Sequence, residues 1–329
     1  MSEFDIIREI FAPLTANAPG AFNLVDDAAL LEARDLVVTK DLMVAGVHFL
    51  AKDPLDLVAR KLVRANLSDL AAKGAKPIGY FLGCVWPNNV KRASIELFAR
   101  GLAEDQEHFR IALYGGDTTL HTMKSGPLTL SATFFGAPPK QGMTARTGAS
   151  LGDDLYVSGT IGDAGLGLMA LRKEFKFTTV DKASLSGRYH LPEPRMTLGA
   201  ALAGLATAAI DVSDGLIADA GHLARANGLR AEIDAVAVPR SQGAAYWVAA
   251  QQNRWKALAT LAGFGDDYEI LFAAPPAMRR SVVMAAKASR TEVSRIGSLT
   301  RGDGVLFLDE NGAPILVPET GYDHFKSER

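Results

Sequence analysis

A chain of 329 residues is long for a single hydrophobic core, so two domains are the first expectation. Apolar residues make up 48% of it, and 35 basic against 37 acidic side chains leave a net charge of −2, which excludes a strong electrostatic draw to nucleic acid or to an anionic membrane. The one cysteine, Cys84, lies in the apolar run IGYFLGCVW, so an intrachain disulfide and a cysteine zinc site are excluded and the residue reads as a small buried hydrophobe.

The first stretch, MSEFDIIREIF, is acidic and amphipathic, unlike a signal peptide, and predicts a helix over 3–11. No segment approaches the roughly 18 uninterrupted apolar residues of a membrane span, so a cytoplasmic protein is expected. FNLVDDAALL follows, with Asp26 and Asp27 between apolar flanks where an unpaired buried charge would be costly. DLVVTKDLMV predicts a buried strand leading into the loop AGVHF. Over 54–72, Leu55, Val58, Leu62, Ala65 and Leu70 recur near helical spacing, and Gly74 marks the stop. IGYFLGCVW and RIALYGGD read as strands with a helix over 94–107 between them, and GPLTLSATFFG as a further strand. GAPPK is a linker by composition.

Strands and helices then begin again. DDLYVSGTIG is a strand entering a glycine-rich turn, with a helix over 165–173. AAIDVSDGL is a strand end and turn before a helix over 216–226 that closes at Asn227-Gly228. Short strands are expected at 230–233, 269–273 and 305–308. The pattern predicts two α/β domains, 1–138 and 139–329, with no internal repeat.

Several familiar motifs fail on context. There is no G-x-x-x-x-G-K-[ST], and GTIGDAGLG has the wrong spacing for a dinucleotide-binding loop. GASLG matches G-x-S-x-G, but polar MTART precedes it and a strand follows, the reverse of a nucleophile elbow, so a surface turn explains Ser150. What remains is a set of aspartates at the ends of apolar strands. VVTKD places Asp41 where a strand meets its loop, and LYGGDTT does the same for Asp117, with glycines that let backbone N–H groups approach a bound group. AIDVSD brings Asp211, Ser213 and Asp214 close together, with Asp211 and Ser213 on one side of an extended segment, and Asp69 lies one turn after Asn66 on a helix.

If these acids meet Asp27 in one cleft, only cations could hold so many carboxylates together; hard oxygen ligands favour Mg²⁺, and Mg²⁺ between carboxylates points to a phosphate-bearing substrate. Each acid has a plainer reading beside this one. Asp214 suits a helix N-cap, Asp69 an i, i+4 pair with Lys73, and Asp117 a turn. Asp153 and Asp154, in LGDDLYV, read as a polar turn ahead of a strand. These readings do not explain why acids recur at apolar strand ends.

Taken in order, VDDAAL, TKDLMVAGVHF, NLSDLAAKGAKP, LYGGDTT, ARTGASLGDDLYVSGTIGDAGLGL, HLPEPRMTLG, AIDVSDGLIADAGHLA, FGDDYEILF and GYDHF resemble the thiamine-monophosphate kinase family, within the superfamily of aminoimidazole ribonucleotide synthetase and selenophosphate synthetase. The match runs from about residue 20 to 325. GVHF, NLSDLAAKGA and GYDHF carry the resemblance to this family in particular. It implies two domains, the N-terminal one a mixed sheet with helices that pairs in a homodimer, the C-terminal one α/β. It also implies direct transfer of the ATP γ-phosphoryl to the phosphate of thiamine monophosphate, with no covalent enzyme intermediate and no single acid or base.

On this resemblance Asp27, Thr39, Asp41, Asp69, Asp117, Asp211 and Asp214 would serve several Mg²⁺ ions. Gly116, Asp117, Arg146 and Ser213 would contact ATP, and His48, Asp266 and Tyr322 the thiamine moiety. The number of ions and a requirement for K⁺ are left open. Two departures stand out: Val25 replaces the usual glycine before the first acidic pair, and Lys40 stands where a hydroxyl residue is common. On a strand, Lys40 would face away from Asp41 and offer the site only its carbonyl. The alternatives are a relative that activates an amide or a selenide, although no cysteine precedes Cys84, and a noncatalytic Mg-ATP-binding protein.

Overall fold

The structure, a computed structural model, describes residues 3–24, 31, 35–123 and 126–317. It divides into two compact units, Met1–Leu70 with Ala75–Pro138 and Ala71–Gly74 with Pro139–Arg329. Among the described residues no helix is long and apolar enough to cross a membrane.

The first unit opens with α1 (Glu3–Ile6), a π-helical turn (Ile7–Phe11) and two 3-10 turns, so the predicted N-terminal helix is present but irregular. Then come β1 (Val37–Val44), α2 (Leu55–Ala72), β2 (Lys76–Trp86), α3 (Arg92–Phe109), β3 (Ala112–Leu120) and β4 (Thr129–Ala137). The strands form one mixed sheet in the order β1-β4-β2-β3, with only β2 and β3 parallel. One face carries the helices. Tyr80 stacks on Phe134 and accepts from Gln106 of α3, and Trp86 meets Phe98 of α3 edge to face. The other face leaves Val38, Lys40 and Leu42 exposed.

Helix α2 is buried on nearly all sides from Val58 to Ser68, which is unusual for a segment containing Lys61, Arg64, Asn66 and Ser68. Buried polar groups need partners, and Asp105 of α3 supplies one. It accepts two bonds from Arg64 at 2.7 and 3.0 Å and one from Arg60 at 3.0 Å.

The second unit contains β5 (Asp154–Ser158), α4 (Asp163–Arg172), α5 (Thr179–His190), α6 (Met196–Leu202), β6 (Ala208–Asp211), α7 (Leu216–Ala226) and β7 (Arg230–Asp234). It continues with α8 (Gln242–Ala249), α9 (Arg254–Gly263), β8 (Ile270–Ala274), α10 (Arg279–Ser289), β9 (Val293–Thr300) and β10 (Val305–Leu308). Its sheet runs β10-β7-β9-β5-β8-β6, and all neighbours are antiparallel except β10 and β7. Leu155, Val157 and Leu271 pack with α7 and α9 on one face, while Tyr156 and Phe272 pack with α6 and α10 on the other. Covered on both faces, β5 and β8 are buried throughout, and β8 reads as an unbroken apolar run.

Candidate functional site

Burial alternates along β1, so Val37, Thr39, Asp41 and Met43 turn toward the helices while Val38, Lys40 and Leu42 turn out. Thr39 Oγ1 donates to Asp69 Oδ2 of α2 at 2.5 Å. Lys40 donates to Ser131 on the outer face, as its strand position predicts. Burial pushes the Asp41 carboxyl up to about 7, and the nearby charge of Asp69 adds to the effect. Asn66, one turn before Asp69 on the same side of α2, has a buried Oδ1 without a hydrogen-bond partner among the described residues. These are hard oxygen groups, and the two carboxylates among them oppose each other.

Asp117 lies elsewhere on the same sheet. Tyr80 aligns with Leu113 but Phe81 aligns with Gly115, so Tyr114 is a bulge that shifts every later residue of β3 by one. Asp41 lies in line with Ala132, Leu82 and Gly116; Asp117, one residue on, therefore belongs to the outer face with Lys40 and Leu42 and is exposed. A cavity of about 460 Å³ opens beside it, lined in part by Phe11, Leu24, Phe81, Tyr114 and Gly116. In the AGVHF loop, Val44 N–H donates to His48 Nδ1 at 3.0 Å, leaving Nε2 to carry the ring proton, and Lys61 Nζ donates to the His48 carbonyl at 3.2 Å.

In the second unit, pairing continues beyond the end of β6. Val212 N–H donates to Glu269 O at 2.8 Å, Tyr268 N–H to Val212 O at 2.8 Å, and Asp266 N–H to Ser213 O at 2.9 Å. A two-legged ribbon results, with Asp211, Ser213 and Asp214 on one leg and Asp266 on the other. Asp214 is not the N-cap of α7; that position is Gly215, and Asp219, inside the helix, reaches back to accept from the amides of Asp214 and Gly215, both at 3.1 Å. Burial, then the charge of Asp214, pushes the Asp219 carboxyl up to about 8. Arg146 is exposed, and its loop is tied down by Asn227, which donates to the Arg146 carbonyl at 3.0 Å and accepts from Gly148 and Ala149 N–H.

The sequence matches the family models described as AIR synthase related protein, N-terminal domain, over residues 25–137, and AIR synthase related protein, C-terminal domain, over 151–309. A thiamine-monophosphate kinase from Caulobacter vibrioides is 51% identical over 307 residues, covering 92% of this chain and 86% of the relative. The chain belongs to the thiamine-monophosphate kinase family. Among solved structures, the thiamine-monophosphate kinase of Stenotrophomonas maltophilia K279a is 38% identical with a TM-score of 0.76, covering 86% of this chain and 89% of that one. A further ThiL structure, complexed with AMPPCP and TMP, is 28% identical with a TM-score of 0.76 and covers 98% and 97% of the two chains.

Within this family the residues can be sorted. Thr39 and Asp41 share the helix-bearing face of the first sheet, where Asp69 of α2 bonds Thr39 and Gly116 is in register with Asp41, whereas Asp117 lies on the opposite face; Asp211, Ser213, Asp214 and Asp266 share the ribbon of the second unit. Asp27 and Tyr322 lie outside the described residues. Among those described, no three His, Cys, Asp or Glu side chains gather closely enough to hold a metal ion. The oxygen set of Thr39, Asp41 and Asp69 nevertheless suits Mg²⁺, because an added cation would relieve the mutual opposition of the two acids. Cys84 is buried, and burial raises its thiol far above the ordinary range, which fits a packing role.

The GDD pair of LGDDLYV plays structural parts. Asp153 closes a turn, accepting from Ser150 N–H at 3.0 Å and Thr207 Oγ1 at 2.7 Å. Asp154 is not a turn residue; it opens β5 and accepts from Arg279 at 2.7 and 2.8 Å and from Arg295 at 3.1 Å. Asp153→Asn is therefore expected to lower the melting temperature while leaving the Michaelis constants for both substrates unchanged, as steady-state kinetics and thermal melts would read. Asp219 and Asn227 escape a motif search because each acts through backbone groups; Asn227 resembles an ordinary helix stop.

Proposed function

We propose that this protein phosphorylates thiamine monophosphate to thiamine diphosphate with ATP, by direct in-line transfer. The observation that carries the reading is the pairing of half-buried, closely set oxygen groups at Thr39, Asp41 and Asp69 with family membership across most of the chain. Asp27, Thr39, Asp41, Asp69, Asp211 and Asp214 would hold Mg²⁺, which when bound neutralises charge on the transferring phosphates; Asp117, on the opposite face of the first sheet, would serve an ion apart from the one at Thr39, Asp41 and Asp69. Gly116, Arg146 and Ser213 would contact ATP, and the cavity beside Gly116 and Asp117 gives room for its base. His48, Asp266 and Tyr322 would meet the thiamine moiety; an acid and an aromatic ring suit a cationic thiazolium. No side chain is asked to form a covalent bond, so the chain's contribution is positioning.

The protein would act as a homodimer in the cytoplasm. Pairing of the N-terminal sheets would cover the outer face, where Val38 and Leu42 are 58% and 53% exposed. Sedimentation velocity should give twice the chain mass; a monomer at micromolar concentration would remove the dimer from this reading. For the activity, the protein is incubated with ATP, Mg²⁺ and thiamine monophosphate and the products are separated. Thiamine diphosphate and ADP in equal amounts are expected. ADP without thiamine diphosphate, or no turnover at saturating substrate, would refute it.

A further inference from the structure

Asp266 and Tyr268 adopt φ of 67° and 52°, two left-handed non-glycine residues within three positions, so the turn that presents Asp266 must be held by its surroundings. Asp267, between them, accepts from Gly162 N–H at 2.6 Å and Ala164 N–H at 3.2 Å at the start of α4. Glu269 ends the turn and is fully buried. It accepts from Ser158 Oγ at 2.6 Å, from Arg195 Nε and Nη2 at 2.7 and 2.6 Å, and from Arg188 Nη2 at 2.7 Å. Arg188 also donates to the Asp267 carbonyl at 3.1 Å. Gly159 packs against this carboxylate so closely that a Cβ there would lie 2.1 Å from Glu269 Oε1.

Two motifs without a role in binding or transfer, GTIGDAGLG and HLPEPR, thus converge on one buried acid beneath the Asp266 turn. We propose that Glu269, clamped by Arg188 and Arg195, is a positioning residue for the acceptor side of the site, fixing the turn so that Asp266 meets thiamine monophosphate. This rests on the reading of Asp266 given above. The other leg of the ribbon has its own anchor, Asp219, so the two legs are separable in kinetics. Loss of the clamp should affect the acceptor and spare ATP.

The test compares Arg195→Lys, which keeps the charge but loses the two-point clamp, with Arg195→Met, Asp266→Asn and the double variant Asp266→Asn/Arg195→Lys. Arg195→Lys is expected to raise KM for thiamine monophosphate about tenfold and to keep KM for ATP within about twofold. In the Asp266→Asn background it should add little, because the clamp acts through that residue. Equal rises in both constants, a lowered melting temperature with unchanged constants, or a full additional rise in the double variant would each overturn the inference. Arg195→Lys keeps it testable if Arg195→Met does not fold. If Asp266→Asn raises the acceptor KM and Arg195→Lys does not, the clamp alone is refuted; if Asp266→Asn has no effect, the reading of Asp266 falls and the clamp's role falls with it.

Discussion

Asp69→Asn should lower kcat/KM by about a thousandfold, roughly 4 kcal/mol of transition-state stabilisation, because it removes a unit of charge from the oxygen set assigned to Mg²⁺. The fold should not suffer. An asparagine Oδ1 can still accept from Thr39, and removal of one of two opposed carboxylates lifts the second of the two effects, after burial, that raise Asp41. The expected outcome is loss of activity with an unchanged or higher melting temperature in the absence of Mg²⁺. A variant that keeps activity within about threefold would remove Asp69 from the site.

The same pair sets a pH dependence. Asp41 is raised from 3.8 to about 7 in the folded chain, so between those values the folded state holds a proton that the unfolded state has released. Stability from this group therefore falls as pH rises through that window, and its penalty is complete above about 7. Mg²⁺ competes with the proton, so the gain in melting temperature on adding Mg²⁺ should be larger at about pH 8 than at about pH 6. Asp219, raised to about 8, has the same sign, and Asp41→Asn isolates the Asp41 part. A Mg²⁺ gain independent of pH in the wild type would count against the assignment.

Gly116→Ala is the second change expected to be severe. A Cβ at Gly116 would lie 2.0 Å from the Leu82 carbonyl oxygen, inside the sheet, where no flexible side chain can yield. β3 would have to leave β2, at a cost of about 3 kcal/mol or more, and the assigned nucleotide contacts of Gly116 and Asp117 would move with it. Gly83→Ala is the control, since its Cβ would meet Ser131 at 3.6 Å, an ordinary contact. Thermal melts and ATP titration should show both losses for the first and an intact fold for the second. Wild-type melting and ATP affinity in Gly116→Ala would show that the close approach is not needed.

The legible parts of the fold were those in which one physical signal dominates. Period two alone places Lys40 opposite Thr39 and Asp41, but DLVVTKDLMV, expected as a buried strand with Asp41 at its end, instead leaves Val38 and Leu42 exposed on the outer face and carries Asp41 in mid-strand. The apolar repeat of α2 gave its limits within a residue. By contrast, α5 carries only Leu185 and Tyr189 as buried residues and β9 only Ile296 and Leu299, too few to stand out from a polar background. α6, α8, α9 and α10 were likewise missed. The face on which Asp117 lies depends on a bulge at Tyr114, which leaves no mark in composition. Glu269 and Asp219 were invisible for another reason: their meaning lies in arginines and amides brought to them by the fold.

Direct transfer of phosphate from ATP to thiamine monophosphate is tested by a single-turnover quench with γ-labelled ATP. The label should pass into the terminal phosphate of thiamine diphosphate at the rate at which it leaves ATP, with none retained on the protein at any time. Label transiently bound to the chain, or released as inorganic phosphate while thiamine monophosphate remains, would contradict it.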